Sequence, residues 1–268
     1  MLCVSVKFCP IASGSSGNSI YIGTKDTHIL IDVGISGKKL IEGLEEIKID
    51  SKKIDAIFLT HEHKDHVKGA GIISIKYNIP IYATIGTWES IKDTIGYISE
   101  NNKKFVYSGE NCVINDMCLT PFNIPHDANE PVGYNIFADK YKMTVATDIG
   151  HITDSICENL YNSDVLLIEA NHDEDMLRNG SYTWSLKQRI LSDKGHISNE
   201  TAGKVIVNVM TKRLKHIFLG HLSNENNRPY LAYETVEKIL NQNNIHLGKH
   251  LKMDMAARYS VSRAVELN

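Results

Sequence analysis

No stretch of this chain stays apolar long enough to cross a bilayer: the longest hydrophobic runs are of strand length, far short of the ~20 residues a spanning helix needs. The opening residues, Met1-Leu2-Cys3-Val4-Ser5-Val6-Lys7-Phe8, hold no basic region followed by a long apolar core, so no signal peptide is expected and the expected location is cytoplasmic. Paired cysteine motifs are missing too. The five cysteines are an odd number without a C-x-x-C pair, and Cys3, Cys9, Cys112, Cys118 and Cys157 fall in or beside apolar segments. They read as reduced, buried small hydrophobes, not as disulfides or a zinc finger. Nor is there an excess of positive charge. A net charge of −3 and a pI of about 6.5 argue against a high-affinity duplex binder, though not against a nuclease that holds phosphate through metals and a local basic patch. Linkers, low-complexity tracts and tandem repeats are absent, and 42% hydrophobic residues can bury a substantial core. The simplest organisation is one domain over residues 1–268.

What the chain does have is a concentration of imidazole. His61, His63 and His66, with Asp65, lie within six residues in Thr60-His61-Glu62-His63-Lys64-Asp65-His66. The apolar run Ile54–Leu59 before them reads as a buried strand, and Val67–Tyr77 after them reads as a helix. The cluster is therefore expected in the turn at the carboxyl end of a strand, where open α/β sheets tend to place their sites. In such a turn His61 and His63 can converge on one ion, and Asp65 and His66 can reach a second. Neutral imidazole and carboxylate are the usual ligands of catalytic zinc, manganese and iron.

H-x-H-x-D-H after a hydrophobic strand resembles the signature of the metallo-β-lactamase superfamily, in its dinuclear hydrolase branch. The resemblance implies an α/β (α+β) chain folded as a four-layer αββα sandwich with two metals at one edge, and further ligands at later strand ends. Val4–Phe8, Ile20–Ile22 and His28–Ile31 read as strands, and Ile35–Ile47 as an amphipathic helix. Ile79–Tyr82 reads as a short strand, and Thr84–Ile98 as beginning with a helix. Lys103–Ile114 and Met117–Ile124 read as paired strands, the second ending at His126, which fits the third position on the first metal. Val132–Ala138 and Lys142–Ala146 read as a hairpin that ends at Asp148, similar to the family's bridging aspartate. Classical β-lactam hydrolysers usually have cysteine there, so the aspartate points to dinuclear phosphodiesterases. His216–Gly220 reads as a strand ending at His221, which fits the last metal position; His216 lies at the wrong end, and His28, His246 and His250 have no convergent partners. Pro229 opens a helix to about Leu240, and the tail Lys252–Leu267 reads as an edge strand.

The resemblance thus implies two divalent ions, zinc or manganese with iron also compatible. His61, His63 and His126 would surround one, Asp65, His66 and His221 the other, and Asp148 would bridge them. Asp32, in Asp32-Val33-Gly34, and Glu169, at the end of the strand Asp164–Ala170, are expected to support ligands through hydrogen bonds. Gly195-His196-Ile197-Ser198 before a helix capped by Ser198 or Asn199 resembles a motif of tRNA 3′-processing nucleases, where the histidine assists phosphate chemistry without binding metal. Asp65 and His196 are the expected catalytic groups, acting with a metal-bridging hydroxide that attacks phosphorus. Ser15 and Asn18, in the loop Ser13–Ser19, are expected to contact substrate, as are His172, Ser223, Asn226 and Arg228.

Together the motifs Ser-Gly-Ser-Ser-Gly-Asn-Ser, H-x-H-x-D-H, Ser-Asp-x-Gly-His and Gly-His-Leu-Ser resemble the YycJ/WalJ-type, nuclease-like subgroup, which implies a 5′→3′ DNA exonuclease with nucleic acid as its partner and no membrane. The oligomeric state is left open. Small-molecule cyclic phosphodiesterases and thioester or lactone hydrolases share the ligand set and are the alternatives, followed by a non-catalytic partner-binding protein. Redox chemistry is disfavoured, because the flavin-dependent di-iron members typically carry glutamate where this chain has His63.

Overall fold

Two seven-stranded sheets carry the chain in the computed structural model, which describes residues 5–91, 94–248 and 251–268; Cys3 and His250 lie outside these. In the first sheet β1 (Val6–Ala12), β2 (Ser19–Gly23), β3 (His28–Ile31), β4 (Ala56–Phe58), β5 (Ile81–Ala83) and β6 (Lys103–Phe105) lie side by side in that order, with β14 (Val265–Leu267) outside β1. The second runs likewise through β7 (Cys112–Ile114), β8 (Met117–Asn123), β9 (Val132–Ala138), β10 (Tyr141–Ala146), β11 (Val165–Glu169), β12 (His216–Gly220) and β13 (Lys252–Met255).

Period-two alternation divides the apolar side chains among three layers of core. Phe8, Ile29, Ile31 and Phe58 point between the sheets and meet Tyr134, Val145, Leu167 and Phe218 of the second sheet. Phe8 and Phe218 stack across the interface with ring centroids 5.6 Å apart. The alternate residues Cys9, Leu30 and Ile57 face outward onto Leu40 and Leu44 of α1 (Gly37–Glu46), Ile73 of α3 (Ala70–Tyr77) and Trp88 of α4 (Ile85–Ile91). On the far side, Leu166, Ile168, Ile217 and Leu219 pack on α5 (Asp154–Leu160), α8 (Asn199–Val209) and α9 (Pro229–Gln242). The four-layer αββα order expected from the sequence is the one observed. Three short helices, α2 (Lys64–Val67), α6 (Glu174–Asn179) and α7 (Trp184–Ile190), lie in the loops.

Three expectations are corrected. The helix foreseen over 67–77 is interrupted at Gly69, whose N–H leaves the helical pattern to bond Val33 O at 2.8 Å; a Cβ there would lie 2.2 Å from Ile35 O. Residues 103–114 are not one strand. Val106 N–H still bonds Ala83 O of the first sheet, whereas Gly109 N–H bonds Pro121 O of the second, so the chain crosses between sheets within this segment. The tail is also divided, with β13 on the edge of one sheet and β14 on the edge of the other. The described cysteines are free; Cys9 is buried with its thiol 3.3 Å from Ser262 O, and burial pushes its pKa up to about 12.

The two halves of the first sheet's upper edge are locked by backbone contacts. Asn18 N–H bonds Asp65 O at 2.8 Å, and Gly34 N–H bonds Asn18 O at 2.7 Å. A Cβ at Gly34 would meet Asp65 O at 1.6 Å, a backbone clash with no side chain able to yield. Gly34→Ala is expected to cost about 1–3 kcal/mol by overpacking and to lower the melting temperature by a few degrees. Calorimetry on the purified variant checks this; an unchanged melting temperature would show that the turn relaxes freely.

Candidate metal centre

Three residues at strand ends adopt left-handed backbone conformations that branched side chains avoid: Asp32 after β3 (φ 61°), Asp148 after β10 (φ 59°) and His221 after β12 (φ 53°). Each such turn swings a polar side chain off the strand and back over the sheet edge. There they meet the Thr60–His66 segment, which leaves β4 and ends in the single turn of α2.

Two groups of ligand atoms result. His63 Nδ1 lies 3.1 Å from His61 Nε2 and 3.3 Å from His126 Nε2. In the second group Asp65 Oδ2 lies 3.6 Å from His66 Nε2 and 3.4 Å from His221 Nε2. Asp148 stands between them: Oδ1 is 3.7 Å from His126 Nε2 and 3.4 Å from His221 Nε2, and Oδ2 is 3.3 Å from His66 Nε2. All the metal positions expected from the sequence are thus brought together.

The opposite nitrogen of most rings is tied down, which fixes the tautomer that leaves Nε2 toward the centre. His66 Nδ1–H donates to Asp32 Oδ2 at 2.7 Å and His221 Nδ1–H to Glu169 Oε2 at 2.9 Å. His126 Nδ1–H donates to Gly195 O at 3.2 Å. Thr60 Oγ1 donates to Asp32 Oδ2 at 2.9 Å and can in turn accept from His61 Nδ1–H at 3.0 Å. Glu169 is fully buried, and besides His196 and His221 it accepts from the backbone N–H groups of Asp148, Ile149 and Ile197. Its carboxylate also lies near Asp148, His196 and His221 in a grouping of metal-compatible atoms. With five donors already on it, Glu169 is better suited to orient these side chains than to bind an ion.

The donor set fits divalent cations. Asp148 Oδ2 is buried without a partner in hydrogen-bond geometry among the described residues, and the three ring nitrogens of the first group converge on one another. Burial lowers the His61 pKa well below its ordinary value, with the charge of His66 adding to the effect, so His61 favours the neutral form that ligates. Burial also opposes charge on His221, but Asp148, Asp65 and Glu169 outweigh it and raise that pKa to about 10. The carboxylates therefore call for positive charge here, and a divalent ion can supply it in place of protons.

The centre opens into a cavity of about 370 Å³ lined in part by Ser15, Asp127, Tyr182, Arg189, His196 and Ser223. Of the expected substrate contacts, Ser15 and Ser223 line it. Asn18 is buried beneath, its Nδ2 bonding Gly14 O at 3.2 Å and standing 3.1 Å from His66 Nε2, which makes it a brace for the loop and the ligand. His172 and Asn226 are likewise buried and outside the cavity lining, and Arg228 lines a neighbouring cavity. Among the described residues neither ring nitrogen of His172 has a hydrogen-bond partner, and burial lowers its pKa to about 4. Asp127 and Arg189 escaped the sequence reading. They are ion-paired across the cavity, with Asp127 Oδ1 3.2 Å from His126 Nε2. The adjacency of Asp127 to His126 was the one local signal for them.

The fold is shared with known proteins. The model of the beta-lactamase superfamily domain matches residues 27–217, and the chain belongs to that family. It is 39% identical over 252 residues to "Exodeoxyribonuclease WalJ" of Streptococcus pneumoniae, covering 93% of this chain and 94% of that protein. To "Exodeoxyribonuclease YycJ" of Bacillus anthracis it is 37% identical over 247 residues, covering 92% and 93%. Among solved structures, the metallo-beta-lactamase fold protein YhfI from Bacillus subtilis superposes with a TM-score of 0.71 at 16% identity, over 97% of this chain and 99% of that one.

Removing the carboxylate that orients His66 tests the arrangement. Asp32→Ala is expected to weaken metal binding by about 10–100-fold, measured by competition with a chromophoric chelator. Undiminished affinity would show that His66 does not depend on Asp32.

Proposed function

We propose that this protein is a metal-dependent exodeoxyribonuclease that removes nucleotides from DNA in the 5′→3′ direction, in the cytoplasm, using two divalent ions. The observation that carries the reading is the position of Asp148 between two three-residue ligand groups, with no thiolate among them. Names of relatives that match nearly the whole chain support DNA as the substrate. No described helix is long and apolar enough to cross a membrane.

His61, His63 and His126 would hold one ion, Asp65, His66 and His221 the other, and Asp148 both. Zinc and manganese each suit this nitrogen and oxygen set. Bound ions supply acidified water and stabilise charge on the phosphate's equatorial oxygens. The remaining work falls to the chain. Asp65, partly exposed at the cavity floor, can accept a proton from the attacking water and align it. Burial disfavours a charged His196, but the charge and hydrogen bond of Glu169, 2.9 Å from its Nδ1, prevail and raise its pKa. Its Nε2–H is then available to donate to a phosphate oxygen or to the departing oxygen. Arg189 and Ser15 on the cavity wall suit contacts with the negatively charged strand.

The test is hydrolysis of a 5′-labelled single-stranded DNA with added manganese, beside bis(p-nitrophenyl) phosphate and a thioester. Successive loss of 5′ nucleotides is expected, with activity abolished and bound metal reduced in Asp148→Ala. Cleavage of the small diester alone would assign a small-molecule phosphodiesterase, and of the thioester alone would remove the phosphate chemistry. His196→Ala is expected to lower kcat by about 10²–10⁴-fold while metal content by elemental analysis stays near two per chain. Loss of metal in that variant would make His196 a ligand.

A further inference from the structure

Beside the metal cavity lies a second one of about 590 Å³, whose lining includes Ser223, Asn227, Arg228, Met255, Arg258 and Tyr259. Ser223 lines both cavities, so they are neighbours along one surface. Two guanidinium groups line the second cavity and no carboxylate does. Their hydrogen bonds go to neutral oxygens. Arg258 donates to Ser15 Oγ at 3.1 Å and to Leu222 O, and Arg228 donates to Asn224 O at 3.1 Å and Asn227 O at 2.6 Å.

Among the described residues neither arginine has a carboxylate within ion-pair distance, although Arg258 also lines a separate groove with Glu42 and Glu46. Arg258 is moreover half-buried, and burial lowers its pKa. A partly desolvated cation with only neutral partners favours an anion beside it. The seat is shaped for this side chain: a Cβ at Gly14 would fall 2.9 Å from Arg258 Cζ. Next to it the exposed ring of Tyr259 lies 5.8 Å from Arg258 Cζ, a flat apolar face beside a positive charge. Charge to hold a backbone phosphate together with an aromatic platform for a base is the pairing that binds single-stranded nucleic acid without regard to sequence.

We propose that this second cavity is a subsite for a nucleotide of the DNA strand next to the one being cleaved, with Arg258 and Arg228 holding its phosphate and Tyr259 stacking on its base. The inference rests on the exodeoxyribonuclease reading and adds to it where the uncleaved strand lies. Arg258 acts there as a binding residue, through the bridge to Ser15 that joins the two cavities.

The test compares Arg258→Gln and Tyr259→Ala with the manganese-loaded wild type on a single-stranded oligonucleotide and on bis(p-nitrophenyl) phosphate, which is too small to occupy both cavities. The ratio of the two kcat/KM values is expected to fall about tenfold in each variant, through KM for the oligonucleotide. Binding of a labelled phosphorothioate oligonucleotide, followed by fluorescence anisotropy, is expected to weaken in parallel. In Arg258→Gln the slope of log affinity against log salt is expected to flatten by about 0.7, the effect of one phosphate no longer neutralised. Tyr259 is exposed, so its replacement leaves the fold in place even if Arg258→Gln is unstable. Wild type that cleaves DNA while both variants keep the ratio and the salt slope would overturn the subsite alone. Wild type that cleaves the small diester but neither binds nor cleaves DNA would overturn the exonuclease reading, and the subsite with it.

Discussion

Buried negative charge is the constraint on which this structure turns. Asp32, Asp148 and Glu169 are almost wholly removed from solvent, and a carboxylate in such a place must be surrounded by donors or cations. Glu169 is satisfied by two imidazoles and three backbone amides, Asp32 by Thr60 and His66. Asp148 alone keeps an oxygen without a hydrogen-bond donor, at the point where both ligand groups meet. Burial opposes its ionisation, yet His221 and His66 hold its pKa well below the carboxylate range. The same histidines that suit a metal therefore keep the aspartate ionised.

The fold supplies this arrangement through backbone more than through side-chain packing. Parallel pairing of β3 with β4, of β10 with β11 and of β11 with β12 brings the carboxyl ends of these strands to one rim. Left-handed residues there turn Asp32, Asp148 and His221 inward, at a conformational cost that the surrounding hydrogen bonds must offset. Gly34 and Gly69 allow the Val33–Ile35 backbone to lie against the His63–Gly69 turn, closer than any side chain would permit.

How far the sequence revealed this depended on how local each signal was. The short apolar runs of β3, β11 and β12 were plain from residues alone, as was the histidine cluster at 61–66, because each is contained in a short window. His126, Asp148 and His221 became legible through their positions at strand ends within a family pattern; singly, each was an ordinary residue after an apolar run. The Asp127–Arg189 pair joins positions 62 apart, one in a loop and the other on α7, and no period or motif connects them. Asn18 and His172 were read as substrate contacts because they lie in or near family motifs. In the structure the tight loop consumes the Asn18 amide in holding backbone, and packing encloses His172. Segment 103–114 misled for another reason: extended residues look alike whether they pair in one sheet or pass between two.

The candidate ligands are shared between the two sheets, the 61–66 segment coming from the first and His126, Asp148 and His221 from the second. Asp65 and His221 are 156 positions apart, and they face each other across the seam between the layers. An ion held by both would act as a removable cross-link in a chain whose described cysteines form no disulfide. Unlike a disulfide, such an ion leaves the unfolded chain unrestricted when it departs, but whatever binds the native site alone shifts the folding equilibrium toward it. Supply of metal would then set the lifetime of the sandwich itself, so that the protein's abundance as well as its chemistry would follow the divalent ions around it.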